Sequence, residues 1–354
     1  MFSDVYQDRR VLLTGHTGFK GSWLALWLQT LGAKVTGVAL HPDTQPDHWD
    51  LLKLDMPEHR IDIRDQVALA RVVADVRPEI VFHLAAQPLV RKSYREPLET
   101  WSTNVMGTAN LLEACREVDG LRAIVVVTSD KCYENLEKAR PFREDDRLGG
   151  HDPYSASKAG SEMVAASYRD AFFSKTETLL ATARAGNVIG GGDWSEDRLV
   201  PDVVRAAEKR ESLGIRSPQA TRPWQHVLES LSGYLLLGQN LLSGKKEFQG
   251  GWNFGPGNAE AMTVSDVLGQ LQNHWSDLVW HVDGTPAPHE AKMLQLDSSK
   301  AQQELHWQPV LTPEQMFAMT ALWYRSFYDH KVVISRLQLD EYCSAAGKAR
   351  VSWA

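Results

Sequence analysis

The chain has 354 residues, a formal net charge of −7 and a pI of about 6.0, with no long basic run, which excludes nucleic-acid binding as its main work. No uninterrupted apolar stretch approaches the roughly 18 residues of a membrane span. The three cysteines (Cys115, Cys132, Cys343) are scattered, with neither a CxxC nor a His/Cys cluster, which argues for a reducing compartment and against a structural zinc site. The first residues, MFSDVYQDRRVLLTG, are charged and run straight into a strand without the apolar core of a signal peptide, so a cytoplasmic protein is expected. The length exceeds that of one ordinary core and predicts a main domain with an elaborated second lobe.

In chain order, Val11–Thr14 reads as a short strand leading into the glycine-rich TGHTGFKG. Phe19, Trp23, Leu24, Trp27, Leu28 and Leu31 then recur at helical spacing until Gly32 stops the helix. Lys34–Leu40 reads as a strand, Val67–Val76 as a helix and Ile80–Leu84 as a buried strand, with a polar connection between the first two. Leu98–Arg116 is predicted helical, with Leu98, Trp101, Val105, Leu112 and Cys115 along one stripe. Ala123–Thr128 is a continuous apolar run of the kind buried on both faces of a parallel sheet. Tyr154–Phe173 reads as a helix and Thr178–Ala183 as a strand. This alternation predicts an α/β fold: a Rossmann-type, doubly wound parallel sheet covered by helices. Beyond Gly186 the pattern loosens into segments rich in glycine, proline and tryptophan, which predicts a smaller, discontinuous substrate lobe over the carboxyl edge of the sheet. The dinucleotide domain is set at 1–186, with about 226–256 returning to it. The lobe takes 187–225 and 257–354, and Leu311–Tyr328 and Val333–Cys343 are its closing helices.

Gly15, Gly18 and Gly21 stand between the first strand and the first helix. Glycine there permits a tight turn and lets backbone N–H groups reach a pyrophosphate at the helix N-terminus. His16 and Lys20 lie inside this loop, near phosphate or simply solvated. The second strand ends VALHPD, with His41 where a carboxylate usually grips the adenosine ribose and no adjacent arginine for a 2′-phosphate. Asp62, in DIRD, is either an adenine-edge acceptor or part of a surface turn.

The chemistry concentrates in TSDKCY (Thr128–Tyr133) and YSASK (Tyr154–Lys158). Tyr154 and Lys158 are one helical turn apart on the same face, so an ammonium is placed to lower the cost of a phenolate. Such a pair takes a proton from an alcohol while its hydrogen leaves as hydride. Ser129 adds a hydroxyl, Asp130 a carboxylate and Lys131 a second amine. Alcohol oxidation alone needs neither of the last two; expelling water does. Cys132 is set aside as a nucleophile because no histidine lies close in sequence.

TGHTGFKG, DIRD, HLAAQ, TNVMGTANLLEA, VVVTSDK, YSASK, RAGNVIGGGD and RPWQHV occur in the order seen in the extended short-chain dehydrogenase/reductase family, which the chain resembles over most of its length. Within it, the chain is similar to the nucleotide-sugar 4,6-dehydratases, and SDKCYEN with HTGFKG most resembles the CDP-glucose branch. The resemblance implies NAD as cofactor, contacted by Gly15, His16, Gly18, Phe19, Lys20, Gly21, Asp62, Ile63, Leu84, Ala85, Ala86 and Lys158. It implies substrate contacts from Gln87, Asn104, Asn187, Arg222 and His289, with Glu290 beside the last. Trp194 and Trp224 fall in the same pocket-lining segments.

It also implies a three-stage reaction. Tyr154 takes the 4-hydroxyl proton during C4 oxidation, with Ser129 on the same oxygen. Asp130 protonates the hydroxyl leaving C6, and hydride then returns to C6. Lys131 stands where related dehydratases carry a glutamate taken to be the C5 base. An ammonium accepts no proton, so Lys131 either has its pKa lowered or stays charged and steadies the enolate; an ion pair with Asp130 is the structural reading. The alternatives are a dTDP- or GDP-sugar dehydratase, a C4-epimerase, or a module that only senses NAD. The family habit of pairing two helices per subunit in a four-helix bundle implies a homodimer or dimer of dimers through Leu98–Arg116 and Tyr154–Phe173. It also suggests a deoxysugar route to a surface polysaccharide.

Overall fold

The computed structural model describes residues 1–135, 140–256, 262–283 and 294–354. Short apolar runs form the strands β1 (Arg10–Thr14), β2 (Lys34–Ala39), β3 (Glu58–Arg60), β4 (Ile80–His83), β5 (Ala123–Val127) and β6 (Leu179–Ala185). Further along come β7 (Asn187–Ile189), β8 (Ser212–Ile215), β9 (Thr221–Arg222), β10 (Trp224–His226), β11 (Gly250–Phe254), β12 (Met262–Thr263) and β13 (Val279–Val282). Seven of them make one sheet in the order β11-β6-β5-β4-β1-β2-β3, every neighbouring pair parallel. The strand order reverses between β1 and β4, and that switch point is where such a sheet opens a crevice for a dinucleotide.

The helices are α1 (Phe19–Thr30), α2 (His48–Leu52), α3 (Gln66–Val76), α4 (Val90–Arg95), α5 (Pro97–Trp101), α6 (Gly107–Cys115) and α7 (Pro153–Ala171), followed by α8 (Leu199–Glu208), α9 (Val227–Leu242), α10 (Val264–His274), α11 (Ser299–Glu304), α12 (Pro313–His330) and α13 (Ser335–Ala349). Successive strand residues point to opposite faces, so each strand feeds two cores. Leu12, Val81, Ile124 and Leu180 pack with α3, α6 and α7 residues such as Leu69, Val73, Leu111 and Ala165. Val11, Leu13, Phe82 and Val125 pack on the other side with Trp23, Trp27, Leu235 and Tyr342 of α1, α9 and α13.

Three expectations shift. β3, read as part of a polar connection, is a strand, because its backbone completes the sheet edge beside β2 while its side chains stay polar. α1 is buried continuously from Gly21 to Leu28 rather than along one stripe, since helices cover its outer side as well. The predicted helix Leu98–Arg116 is interrupted by a π-helical segment at Ser102–Met106. The wider turn rotates the face: Leu112 and Cys115 are buried, while Leu98 is 83% and Trp101 40% exposed. The segment 226–256 supplies α9 and the seventh sheet strand, β11.

Candidate active site

The turn after β1 shows why glycine is needed. Gly15 has φ +77, and a Cβ there would lie 2.6 Å from the Ala85 nitrogen. A Cβ on Gly21 would lie 2.0 Å from the Gly15 carbonyl oxygen. Gly18 differs: it is exposed, caps α1 without a side chain, and a Cβ there would meet only the Gly15 oxygen at 3.4 Å. It leaves the helix N-terminus open to an anion, which fits a dinucleotide pyrophosphate. Thr14 Oγ1 accepts hydrogen bonds from the Leu84 and Ala85 N–H groups, each at 3.2 Å, fixing the β4 loop against this turn.

His16 and Lys20 turn into the fold instead of lying solvated in the loop. His16 is fully buried beneath Gly37, edge-on to Trp49, with Nε2 3.0 Å from Glu58, so it wedges the fold rather than facing phosphate. Burial holds its pKa below the usual range against the pull of Glu58. Lys20 runs into the fold, donating from Nζ to Tyr234 Oη at 3.3 Å. The Ile63 side chain is buried in the core, with its carbonyl accepting from Asn110 Nδ2 at 3.0 Å. Asp62 is held by Arg64 through contacts of 2.6 to 3.0 Å. Phe19 packs against the large core, and Ala86 is half-buried. Arg60, which the sequence reading passed over, pairs in register with Ala39 and donates to the Leu40 carbonyl at 3.0 Å, at the very end of β2. It is 20 residues from Leu40 in sequence, and only the β2–β3 pairing brings it there.

Past β5 the chain enters one turn of 3-10 helix, Asp130–Cys132, capped by Ser129. Ser129 Oγ accepts from the Lys131 N–H at 3.2 Å and donates to Asp130 Oδ1 at 3.0 Å. Lys131 Nζ donates to the same Oδ1 at 3.3 Å. Asp130 is 1% exposed, and its second oxygen, Oδ2, has no protein partner. A Cβ on Gly186 would sit 3.0 Å from that oxygen, so glycine keeps its surroundings clear.

Asp152 caps α7 by accepting from the Ser155 N–H at 2.9 Å, with Pro153 in the first turn. This puts Tyr154 in the first turn of α7 and Lys158 one turn further on, both nearly buried. Burial raises the Tyr154 pKa; Lys131, a hydrogen bond with Ser129 and Arg198 oppose the rise, and Asp130 adds to it. Lys158 Nζ instead donates to the Val127 carbonyl at 3.4 Å. Burial lowers its pKa to about 8, against the pull of Glu162. Lys131 is therefore one of the cations that favour the phenolate, a role that spacing along one helix does not reveal.

Asn104, in the π-helical segment, and Gln87 act as tie points. Asn104 Nδ2 donates to the Gln87 carbonyl at 3.1 Å and to Ser157 Oγ at 2.8 Å, while Gln87 Nε2 donates to Thr100 Oγ1 at 2.8 Å and the Leu89 carbonyl at 3.1 Å. Both donor hydrogens of each amide are thus engaged inside the protein, which positions α7 rather than a ligand. Asn187 is half-buried on β7, and Arg222, on β9, donates to the Thr221 carbonyl at 2.8 Å. Trp194 belongs to an aromatic core with Trp323, Tyr324 and Phe327 instead of a pocket wall. His289 and Glu290 lie outside the described residues. Burial pushes the Cys132 thiol well above its ordinary pKa, which disfavours a thiolate. Tyr234 of α9, which accepts from Lys20, and Arg198, just before α8 and donating to Asp193 at 2.9 Å, carried no signal in sequence, since each sits in a segment that reads as ordinary helix or loop. Among the described residues, no cluster of His, Cys, Asp and Glu is placed to hold a metal, and no helix is long and apolar enough to cross a membrane.

The sequence profile of the GDP-mannose 4,6 dehydratase family matches residues 12–320. A CDP-glucose 4,6-dehydratase of Salmonella typhimurium (strain LT2) is 45% identical over 350 residues, 96% of this chain and 98% of that protein. Among solved structures, the NAD-dependent NDP-hexosamine 5,6-dehydratase TunA matches with a TM-score of 0.75 and 25% identity over 90% of this chain and 98% of its own. The Thermus thermophilus UDP-glucose 4-epimerase complex with NAD shares the fold at a TM-score of 0.77, with 24% identity over 89% of this chain and 98% of its own.

Proposed function

Because the chain belongs to the GDP-mannose 4,6 dehydratase family, within the extended short-chain dehydrogenases/reductases, we propose that it is a hydro-lyase converting CDP-D-glucose to CDP-4-keto-6-deoxy-D-glucose and water. The observation that carries this reading is Asp130: a buried carboxylate beside Ser129 and Lys131 with one oxygen unpartnered. Oxidation or epimerisation at C4 has no use for such an acid, and loss of a hydroxyl does. The likeness to the Salmonella enzyme over nearly the full length supports the CDP-sugar.

NAD, held at the open N-terminus of α1, supplies the hydride acceptor and donor. Tyr154 takes the proton of the 4-hydroxyl, and Ser129 hydrogen-bonds the same oxygen. Lys131, whose charge opposes the rise in the Tyr154 pKa, and Lys158, one helical turn on, lower the cost of that transfer. The resulting 4-ketone acidifies the C5 hydrogen. Asp130, in its acid form, protonates the hydroxyl departing from C6. We assign Lys131 the charged role, holding the enolate while water takes the C5 proton, because its ammonium already contacts Asp130. Lys158 and the glycine turn serve the cofactor, and Asn187 and Arg222 serve the sugar nucleotide.

Residues 1–186 with 226–256 form the dinucleotide domain in this reading, and 187–225 with 257–354 the substrate lobe. Exposed Leu98 and Trp101, together with Met163 of α7 at 64% exposure, support a homodimer or dimer of dimers through these helices. The three unpaired cysteines fit a cytoplasmic location, and a 4-keto-6-deoxy product suits deoxysugar supply for a surface polysaccharide such as lipopolysaccharide O-antigen. The test is mass spectrometry of CDP-, dTDP-, UDP- and GDP-glucose incubated with protein and NAD⁺. Loss of one water from CDP-glucose alone is expected. An isomer of unchanged mass would make the protein an epimerase, and no reaction would leave only cofactor binding.

A further inference from the structure

His83 ends β4 between the glycine turn and the helix that carries Tyr154, and the mechanism above gives it no work. Its side chain is buried. Nδ1 lies 2.7 Å from Thr14 Oγ1, and Nε2 lies 3.1 Å from Thr108 Oγ1. The other partners of those hydroxyls decide which nitrogen carries the proton. Thr108 Oγ1 donates to the Asn104 carbonyl at 2.6 Å, so toward His83 it can only accept, and Nε2 bears the hydrogen. Thr14 Oγ1 already accepts from the Leu84 and Ala85 N–H groups, so its own hydrogen goes to an unprotonated Nδ1. An imidazolium would set a third donor against the Thr14 oxygen and leave that hydroxyl without an acceptor. Burial first, and then the charge of Lys158, act in the same sense and lower the His83 pKa to about 3.

Each nitrogen opens onto one half of the site. On the Nδ1 side, Thr14 holds Leu84 and Ala85 against the glycine turn, so closely that a Cβ on Gly15 would lie 2.6 Å from the Ala85 nitrogen. On the Nε2 side, Thr108 holds the Asn104 carbonyl, which also accepts from Ser161 Oγ of α7 at 2.8 Å. Asn104 Nδ2 donates to Ser157 Oγ at 2.8 Å, and Ser157 Oγ donates to the Tyr154 carbonyl at 2.8 Å.

We propose that His83 is a positioning residue with a divided task. Its Nδ1 sets the wall of the dinucleotide turn, and its Nε2 sets the first turn of α7 and with it the place of the Tyr154 phenol. Both tasks rest on the reading of that turn as the dinucleotide site and of Tyr154 as the base. Loss of a buried hydrogen bond beside the turn should weaken dinucleotide binding by about tenfold. A shift of the phenol by about 1 Å should slow proton and hydride transfer by on the order of a hundredfold.

The experiment separates the two nitrogens in the full-length chain. In His83→Asn the side-chain oxygen can stand in for Nδ1 and nothing replaces Nε2. In His83→Gln the side-chain amide can stand in for Nε2 and nothing replaces Nδ1. Isothermal titration of NAD⁺ without sugar reads the first task, and single-turnover formation of reduced cofactor from CDP-glucose at saturating NAD⁺ reads the second. His83→Asn should keep the affinity and lose the rate, His83→Gln should keep the rate and lose the affinity, and His83→Leu should lose both. Variants that lose affinity and rate together, or a His83→Leu protein that loses neither, would overturn the inference. Should the variants not fold, ¹⁵N NMR of the histidines in the unsubstituted protein at pH 7 decides. A neutral His83 ring with its hydrogen on Nε2 is expected, and a hydrogen on Nδ1 would overturn the proposal. If CDP-glucose reduces no cofactor even in the unsubstituted protein, the proposed function fails, and the affinity pattern and the tautomer then decide the role of His83.

Discussion

Two buried carboxylates meet at one short segment, Thr128–Tyr133, Glu162 from α7 and Asp130 from within it, and are held in opposite ways. Glu162 accepts from Arg184 Nε at 2.9 Å and Nη2 at 2.7 Å, from Thr182 Oγ1 at 2.7 Å, and from Thr128 Oγ1 at 2.5 Å. Arg184 in turn donates to Tyr133 Oη at 2.6 Å. Burial alone would raise the Glu162 pKa, but the guanidinium and hydroxyls outweigh it and hold it below the usual range. Asp130, equally buried, fills one oxygen with Ser129 and Lys131 and leaves the other open. The outer residues of the segment, Thr128 and Tyr133, close the first cluster, and the inner ones build the second. A buried carboxyl whose oxygens are all satisfied fixes structure, whereas one with an oxygen left open costs stability and is available to a substrate.

That contrast can be broken most forcefully at Arg184. Arg184→Met leaves Glu162 buried without its counter-charge and should lower stability by about 3–5 kcal/mol in urea denaturation; a change of less than about 1 kcal/mol would erase the distinction. Tyr154→Phe should cut turnover by about 10²–10⁴-fold with dinucleotide binding and folding intact, read by steady-state assay and titration. Asp130→Asn should slow water loss by about 10²-fold while C4 oxidation persists, seen as reduced-cofactor absorbance in stopped flow. Its denaturation midpoint should stay unchanged or rise, the opposite of Arg184→Met. A signal confined to alkaline pH concerns Lys158, whose pKa is lowered to about 8 from 10.5. Below pH 8 it is charged both folded and unfolded, and its burial cost is fully present. Between pH 8 and 10.5 only the unfolded chain keeps the proton, so stability gains up to about one proton's slope as pH rises. Lys158→Met should flatten the pH–stability curve across that window.

The sheet was legible because a parallel sheet covered on both faces demands continuous apolar runs, and Val11–Thr14, Ile80–Leu84 and Ala123–Thr128 have little other use. β3 was not, since Glu58–Arg60 pairs through backbone alone and its side chains carry no apolar signal. The π-helical turn at Ser102–Met106 leaves no mark in composition, yet it turns Leu98 and Trp101 outward and Asn104 inward. At the site, Ser129, Asp130, Lys131, Tyr154 and Lys158 stood out as residue types, and the fold brings them together. Side-chain direction was not legible: Lys158 Nζ reaches the Val127 carbonyl, Lys131 Nζ reaches Asp130, and Lys20 leaves the phosphate turn for Tyr234. Glu162 and Arg184 lie 22 residues apart on a helix and a strand, and spacing carries no trace of their pairing.

The central claim is that hydride leaves C4 and returns to C6 while water is lost between. CDP-glucose carrying deuterium at C4 tests it most directly, with the product examined by NMR and mass spectrometry. The expected result is a 4-keto-6-deoxy sugar with the deuterium at C6. Deuterium retained at C4, or lost to solvent from a product that has shed water, would contradict it.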